Sequence, residues 1–294
     1  MKFNRRELMR IAVAAATSAL SAIPVHAQEN IAKADAVAAM LPKAIQDAGA
    51  LRIAVPDVGK PLAYKEGSTL KGMDADLAKA VAKVLGLKAE ISLIPFSAAL
   101  TGLQANKFDI SFGEFYVTAE RLKVADFVTI WQDYSSFLVV KTNGYAPVKL
   151  DDICGHTVGA MAGSAELETL KTGATKCSGT APTVSAFPSV SNAILALNSG
   201  RIEGVLINRG GAQEAIHLDA GLDASGEIGG GPTAVAAARN ENSEKILAAL
   251  KGAFDHLIES GEYKNILEKN DTAYGAAKKA EIYTQNSTPP KYGF

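Results

Sequence analysis

From Leu51 onward the sequence alternates short runs rich in β-branched and apolar residues with longer runs of helical periodicity. That alternation confines the chain to an α/β fold, with helices layered on largely parallel sheet. Strands are predicted over 51–55, 89–94, 108–113 and 137–141, and a second series over 158–162, 183–187 and 204–208. The run 74–85 reads as a helix: Asp74 and Asp76 suit the positive end of the macrodipole, Leu77, Val81, Val84 and Leu85 share one side, and Gly86 stops it. Further helices are predicted over 96–105, from Ser164, over 189–197 and over 243–260, with a shorter one through Lys269. Thr118 reads as the cap of a helical turn running towards Asp126.

Two αβ series imply two lobes. The turn-rich stretch 142–147 is where the chain leaves the first unit, and Gly229, Gly230, Gly231 and Pro232 interrupt it where it can return. The expected organisation is a first lobe of 45–141 plus 234–275, a second lobe of 142–233, two hinge crossings, and a polar, loosely held tail over 276–294. A ligand would lie between the lobes.

Residues 1–27 have the pattern of an export signal: Lys2, Arg5, Arg6 and Arg10, an apolar run from Ile11 to Pro24, and Val25-His26-Ala27 as a cleavage site. The pair Arg5-Arg6 fits the twin-arginine route, and clustered positive charge fits the general secretory route equally. Removing the segment takes away four positive charges and one negative, which shifts the formal charge from −1 to −4. Such a balance offers no basic surface to nucleic acid. The mature chain is expected in the periplasm, where thiols oxidise. Cys154 and Cys177, with 22 residues between them, are the two cysteines and are expected to form one disulfide. A metal pair or redox centre lacks both a Cys-x-x-Cys motif and histidines at ligand spacing, since His156, His217 and His256 are scattered.

Eight short motifs occur in order between about 50 and 270. They are Gly72-Met73-Asp74-Ala75-Asp76-Leu77 with Leu85-Gly86, Asn106-Lys107-Phe108-Asp109, Thr118-Ala119-Glu120-Arg121, Ala125-Asp126-Phe127, the stretch Gly155 to Gly163-Ser164, Ser199-Gly200-Arg201-Ile202-Glu203, and Ser260-Gly261-Glu262-Tyr263. In this series the chain resembles the bacterial family 3 extracellular solute-binding proteins, the polar amino-acid receptors of ABC importers. The resemblance implies a two-lobed periplasmic-binding-protein fold of type II that closes on a small solute and presents the closed form to membrane permease subunits. No cofactor, no metal and no catalysis are implied, and a monomer is expected.

By the same resemblance Arg121 holds the α-carboxylate of the ligand. A planar guanidinium suits the task, since it offers parallel N–H donors and keeps its charge in a cleft. Gly163 and Ser164, where a strand gives way to a helix, offer backbone N–H groups and a hydroxyl from the other lobe. Two departures stand out. Asn208 occupies the place where an acidic residue pairs with the ligand ammonium, and Gly113, Glu114, Phe115 and Tyr116 replace the usual small residues before Thr-x-x-Arg. Glu114 can supply the missing negative charge or pair with Arg121. Tyr64, Phe96, Tyr116 and Trp131 are candidate aromatic walls, with Gly59 where an aromatic lid is common. Asp57 is a weaker candidate contact, and Asp74 and Asp76 read as capping residues. Two rival functions are an enzyme on the same clamp, as in the cyclohexadienyl dehydratases with Glu114 as general acid, and a ligand sensor that docks to a membrane signalling receptor.

Overall fold

A computed structural model describes residues 31–293, and the expected export signal over 1–27 lies outside them. Two short helices, α1 (Asp35–Ala38) and α2 (Lys43–Ala48), lead into strand β1 (Ala50–Pro56). A small hairpin of β2 (Tyr64–Glu66) and β3 (Thr69–Lys71) precedes helix α3 (Met73–Val84) and strand β4 (Lys88–Ile94). Helix α4 (Ala99–Gln104), strand β5 (Ile110–Tyr116) and the long strand β6 (Ala125–Val140) follow. The second series runs through β7 (Thr157–Met161), α5 (Ala165–Ala174), β8 (Thr183–Phe187), α6 (Val190–Asn198), β9 (Gly204–Asn208) and α7 (Arg209–Leu218). Strand β10 (Leu222–Ala238) returns the chain to α8 (Ser243–Glu259), α9 (Glu262–Lys269) and β11 (Ala276–Tyr283).

Nine of these strands form one sheet in the order β4-β1-β5-β10-β6-β9-β7-β8, with β11 added beside β6. At one end β4, β1 and β5 are parallel, at the other β9, β7 and β8 are parallel, and the antiparallel pair β6 and β10 joins them. Each parallel end has its own core. The first packs Leu51, Ile53, Leu77, Phe112, Phe127 and Phe254 together. The second covers its sheet on two faces, one built on Phe137, Val158 and Leu170, the other on Leu138, Leu197 and Val205. Each such side chain, fully buried, contributes roughly 1.5–3 kcal/mol, so both ends have the apolar burial of a separate lobe. The two-lobed α/β architecture follows.

Both crossings lie inside strands. Trp131 pairs with Thr233 in the first lobe and Ser135 with Asn208 in the second, so the exit falls near Asp133 and Tyr134 rather than at 142. The predicted boundary is wrong because Phe137 to Val139 pair with β9 and bury their side chains in the second core. The glycines at 229–231 do not interrupt β10. They absorb the crossing through register shifts at Ile228 and Gly230, and a Cβ at Gly231 would press on the ring of Tyr292 at 3.1 Å.

Over the described residues, 276–293, the expected loosely held tail is not found. Strand β11 pairs with β6 through Thr129, Val128 and Phe127, and beyond it Tyr292 is buried. Its backbone carbonyl accepts from Gly230 N–H at 2.7 Å, and its hydroxyl accepts from Val117 N–H at 2.7 Å and donates to Pro232 at 2.9 Å. The segment therefore straps the end of β5 to the crossing in β10. Cys154 and Cys177 form a disulfide within the second lobe.

Candidate functional site

A cavity opens between the lobes where β5 and β9 end and α5 begins. The first lobe contributes Val58, Leu62, Phe96, Gly113, Glu114, Tyr116 and Arg121, the second Met161, Ser164, Ala165, Glu166 and Asn208, and the crossing strands Asp133 and Thr233. Six of the predicted residues, Phe96, Glu114, Tyr116, Arg121, Ser164 and Asn208, are thus brought together.

Arg121 stands on a short turn whose backbone N–H is capped by the Thr118 hydroxyl at 3.2 Å. Its Nη1 donates to the Tyr116 carbonyl at 2.9 Å, and its Nη2 reaches across to the Gly163 carbonyl at 3.1 Å. The guanidinium also lies over the rings of Phe96 and Phe115, at 5.7 and 5.4 Å. Burial draws its pKa down, and the charges of Glu166 and Glu168 oppose that; an arginine so placed remains a cation. Gly163 has φ 80°, and a Cβ there would meet Ser97 Cα at 3.1 Å, so the residue suits both the turn and the close approach of the lobes.

Ser164 caps α5, its hydroxyl accepting from Leu167 N–H at 3.1 Å, which leaves other first-turn N–H groups at the cavity wall. Asn208 does the same for α7: its Oδ1 accepts from Gly211 N–H at 2.7 Å. The side chain is thereby oriented to offer the cavity a donor, not a countercharge.

Negative charge comes from elsewhere. Asp133 and Glu166, which the sequence reading passed over, line the cavity beside Glu114. Asp133 is 7% exposed and its Oδ2 has no hydrogen-bond partner. Burial pushes its pKa well up, helped by Glu114 and Glu166 and opposed by the Tyr134 N–H and Arg209. Glu166 accepts a bond from the Ser135 hydroxyl at 2.8 Å. A carboxylate inside the apolar run 125–140 was the one available signal for Asp133, because an acid on a buried strand needs a reason. Glu114 does not pair with Arg121. It accepts a short hydrogen bond from Thr233 and meets the carboxyl of Asp74.

Other expectations are corrected. Asp57 does not line the cavity but lies in a surface groove with Gly59, Lys60, Tyr64 and Glu214; from this loop it is the neighbouring Val58 and Leu62 that line the cavity. Tyr64 goes with it. Trp131 is fully buried in the first core, its Nε1 donating to the Thr272 carbonyl at 2.9 Å. Asp74 caps nothing: the N-cap of α3 is Gly72, and both Asp74 oxygens are buried without a donor. Asp76 instead pairs with Lys269 at 2.9 Å. Arg239, also missed, binds Asp126 and donates to the carbonyls of Leu122, Lys123 and Ala125, which fixes the turn that carries Arg121.

Comparison with known proteins adds an independent line. The arginine-binding extracellular protein ArtP of Bacillus subtilis is 34% identical over 109 residues, 37% of this chain and 42% of that protein, so the match spans less than half of the relative's length. The arginine-binding protein ArgT of Corynebacterium glutamicum is 25% identical over 256 residues, 85% of this chain and 83% of its own. The solved structure of an ancestral arginine-binding protein bound to arginine is 31% identical and superposes with a TM-score of 0.70 over 75% of this chain and 97% of that one. The fold is accordingly the type II periplasmic-binding-protein fold. A family model matches residues 51–271, three quarters of the sequence and both lobes, and with the ordered motifs and the two-lobed cavity this establishes that the chain belongs to the bacterial extracellular solute-binding proteins, family 3.

Proposed function

We propose that this protein is an exported receptor that closes on an amino acid or related small charged solute and delivers it to the membrane subunits of an ABC importer. The observation that carries the reading is a cavity walled by both lobes, with Arg121 reaching from one lobe to the Gly163 carbonyl of the other. A ligand shifts a two-state clamp only if it interacts differently with the two states. A carboxylate gripped at once by Arg121 and by the first N–H groups of α5 near Ser164 does so. Phe96 and Tyr116 cover the apolar part of the solute, and Asn208 and Glu114 complete its polar contacts. The named relatives bind arginine, which puts basic amino acids first among the probes.

Export of a 1–27 signal with cleavage after Ala27 accords with membership of an extracellular family, and N-terminal sequencing of the secreted protein tests it. Among the described residues no helix is long and apolar enough to cross a membrane. Isothermal calorimetry of the mature protein against the common amino acids tests the receptor reading, which fails if none binds. A second reading, an enzyme on the same clamp, draws on Glu114, whose pKa burial pushes up as a general acid requires. Dehydration of a cyclohexadienyl acid, followed by the rise of aromatic absorbance, would decide for it.

A further inference from the structure

Asp74 is fully buried at the start of α3, and neither of its carboxyl oxygens receives a hydrogen bond. Its side chain meets that of Glu114, whose Oε1 is likewise sealed from solvent without a donor and whose Oε2 accepts from the Thr233 hydroxyl. Glu114 holds left-handed backbone, φ 52°, directly after Gly113 at φ 129°. A non-glycine residue there is strained by on the order of 1 kcal/mol, and such strain gathers at functional sites. Two touching carboxylates inside a protein do not both ionise. One keeps its proton, and the contact then becomes a hydrogen bond from acid to carboxylate. Glu114 already accepts from the Thr233 hydroxyl, whereas Asp74 is wholly buried with no such donor, which marks Asp74 as the acid, and burial and the neighbouring Glu114 push its pKa up accordingly.

The surroundings leave the Glu114 charge facing the cavity. Thr233 on β10 and Gly113 on β5 are neutral, as are Tyr263 on α9 and Tyr274 beyond it. Arg209 stacks on Tyr274 and Tyr134 and acts on Asp133. Asp133, more than nine-tenths buried, turns an unpartnered oxygen to the same cavity. Arg121 shares the cavity and feels Glu166 and Glu168, but its donors go to the Tyr116 and Gly163 carbonyls, so neither Glu114 nor Asp133 is neutralised by a hydrogen bond from the guanidinium.

We propose that Asp74 is a neutral acid that donates its proton to Glu114, and so holds Glu114 as the anionic seat for a positive group of the solute, separate from the carboxylate site at Arg121. This rests on the cavity being the solute site, and it narrows the solute to one with a cation distant from its carboxylate. Asp74 is a positioning residue that does not touch the solute. An amide can replace it, because an Asn side chain also donates to Glu114.

The test compares L-arginine, its neutral isostere L-citrulline, and agmatine, which lacks the carboxylate, by calorimetry. Arginine is expected to bind at least tenfold more tightly than citrulline. Glu114→Gln should bring that ratio near one, Asp74→Asn should keep it within about threefold of the parent, and Asp74→Ala should lower it. Infrared spectra of the unliganded protein at neutral pH should contain a protonated carboxylic acid band that Asp74→Asn removes, a readout that a purely structural aspartate would not give. Equal affinity for arginine and citrulline, loss of the ratio in Asp74→Asn with its melting temperature intact, or absence of the acid band overturns the proposal. If none of the three solutes binds, the solute-site reading falls and this inference with it, whereas absence of the band from the parent protein alone overturns only the inference.

Discussion

On the proposed reading, single residues in this cavity serve both the fold and the solute, and mutations should separate the two. Arg121→Ala removes a charge-assisted donor pair and should weaken binding of a carboxylate solute roughly 30- to 100-fold, equivalent to about 2–3 kcal/mol, with circular dichroism unchanged. Unaltered affinity would show that the guanidinium serves only to join the lobes at Gly163. Asn208→Asp keeps the α7 cap and adds an ionised oxygen, so it should favour cationic solutes in a competition assay. Asp74 has a sign that can be worked out. Its folded-state pKa is raised well above the unfolded value of about 3.9, so its contribution is fully present below that value and is lost as pH rises through the window up to the folded pKa. Asp74→Asn should therefore be nearly neutral at pH 4 and stabilise the unliganded protein at pH 7.5, measured by urea unfolding at both pH values.

Elements position these residues through contacts far apart in sequence. Arg239, just past β10, binds the buried Asp126 and three carbonyls around the Arg121 turn. Arg239→Met strands Asp126 as an uncompensated charge and should cost about 3–5 kcal/mol, visible as a lower denaturation midpoint. Such long-range pairings explain what the sequence could and could not reveal. The strands of the second lobe were legible because 158–162 and 204–208 are apolar runs bounded by turn residues, and Thr118 announced its own cap. Helix α7 was not, because Arg209-Gly210-Gly211 is a poor helix opening that depends on the Asn208 cap. Strand β11 escaped notice because Lys278, Lys279 and Glu281 read as solvated tail, although Ala280 between them is buried. Within the site, the ordered motifs led to Arg121, Ser164 and Asn208. Glu166 and Arg239 carry no local pattern and Asp133 only its place in an apolar run, since what gives them meaning is the partner that folding brings.

At the scale of the molecule, the disulfide and the crossings divide stability from motion. Cys154 and Cys177 both lie in the second lobe, so reduction should lower stability by about 3 kcal/mol on loop-closure grounds while leaving solute affinity unchanged at temperatures where the fold persists. Differential scanning calorimetry with and without reductant checks the first, and titration the second. Motion belongs to the paired stretch of β6 and β10, where Asp133 faces Gly231 and Tyr134 faces Gly230. A ribbon of two hydrogen-bonded strands resists shear in its own plane, which would tear the ladder, and yields more readily to flexing across its face. The halves then swing along one coordinate, and whatever docks against them has a single angle to read in telling a loaded molecule from an empty one.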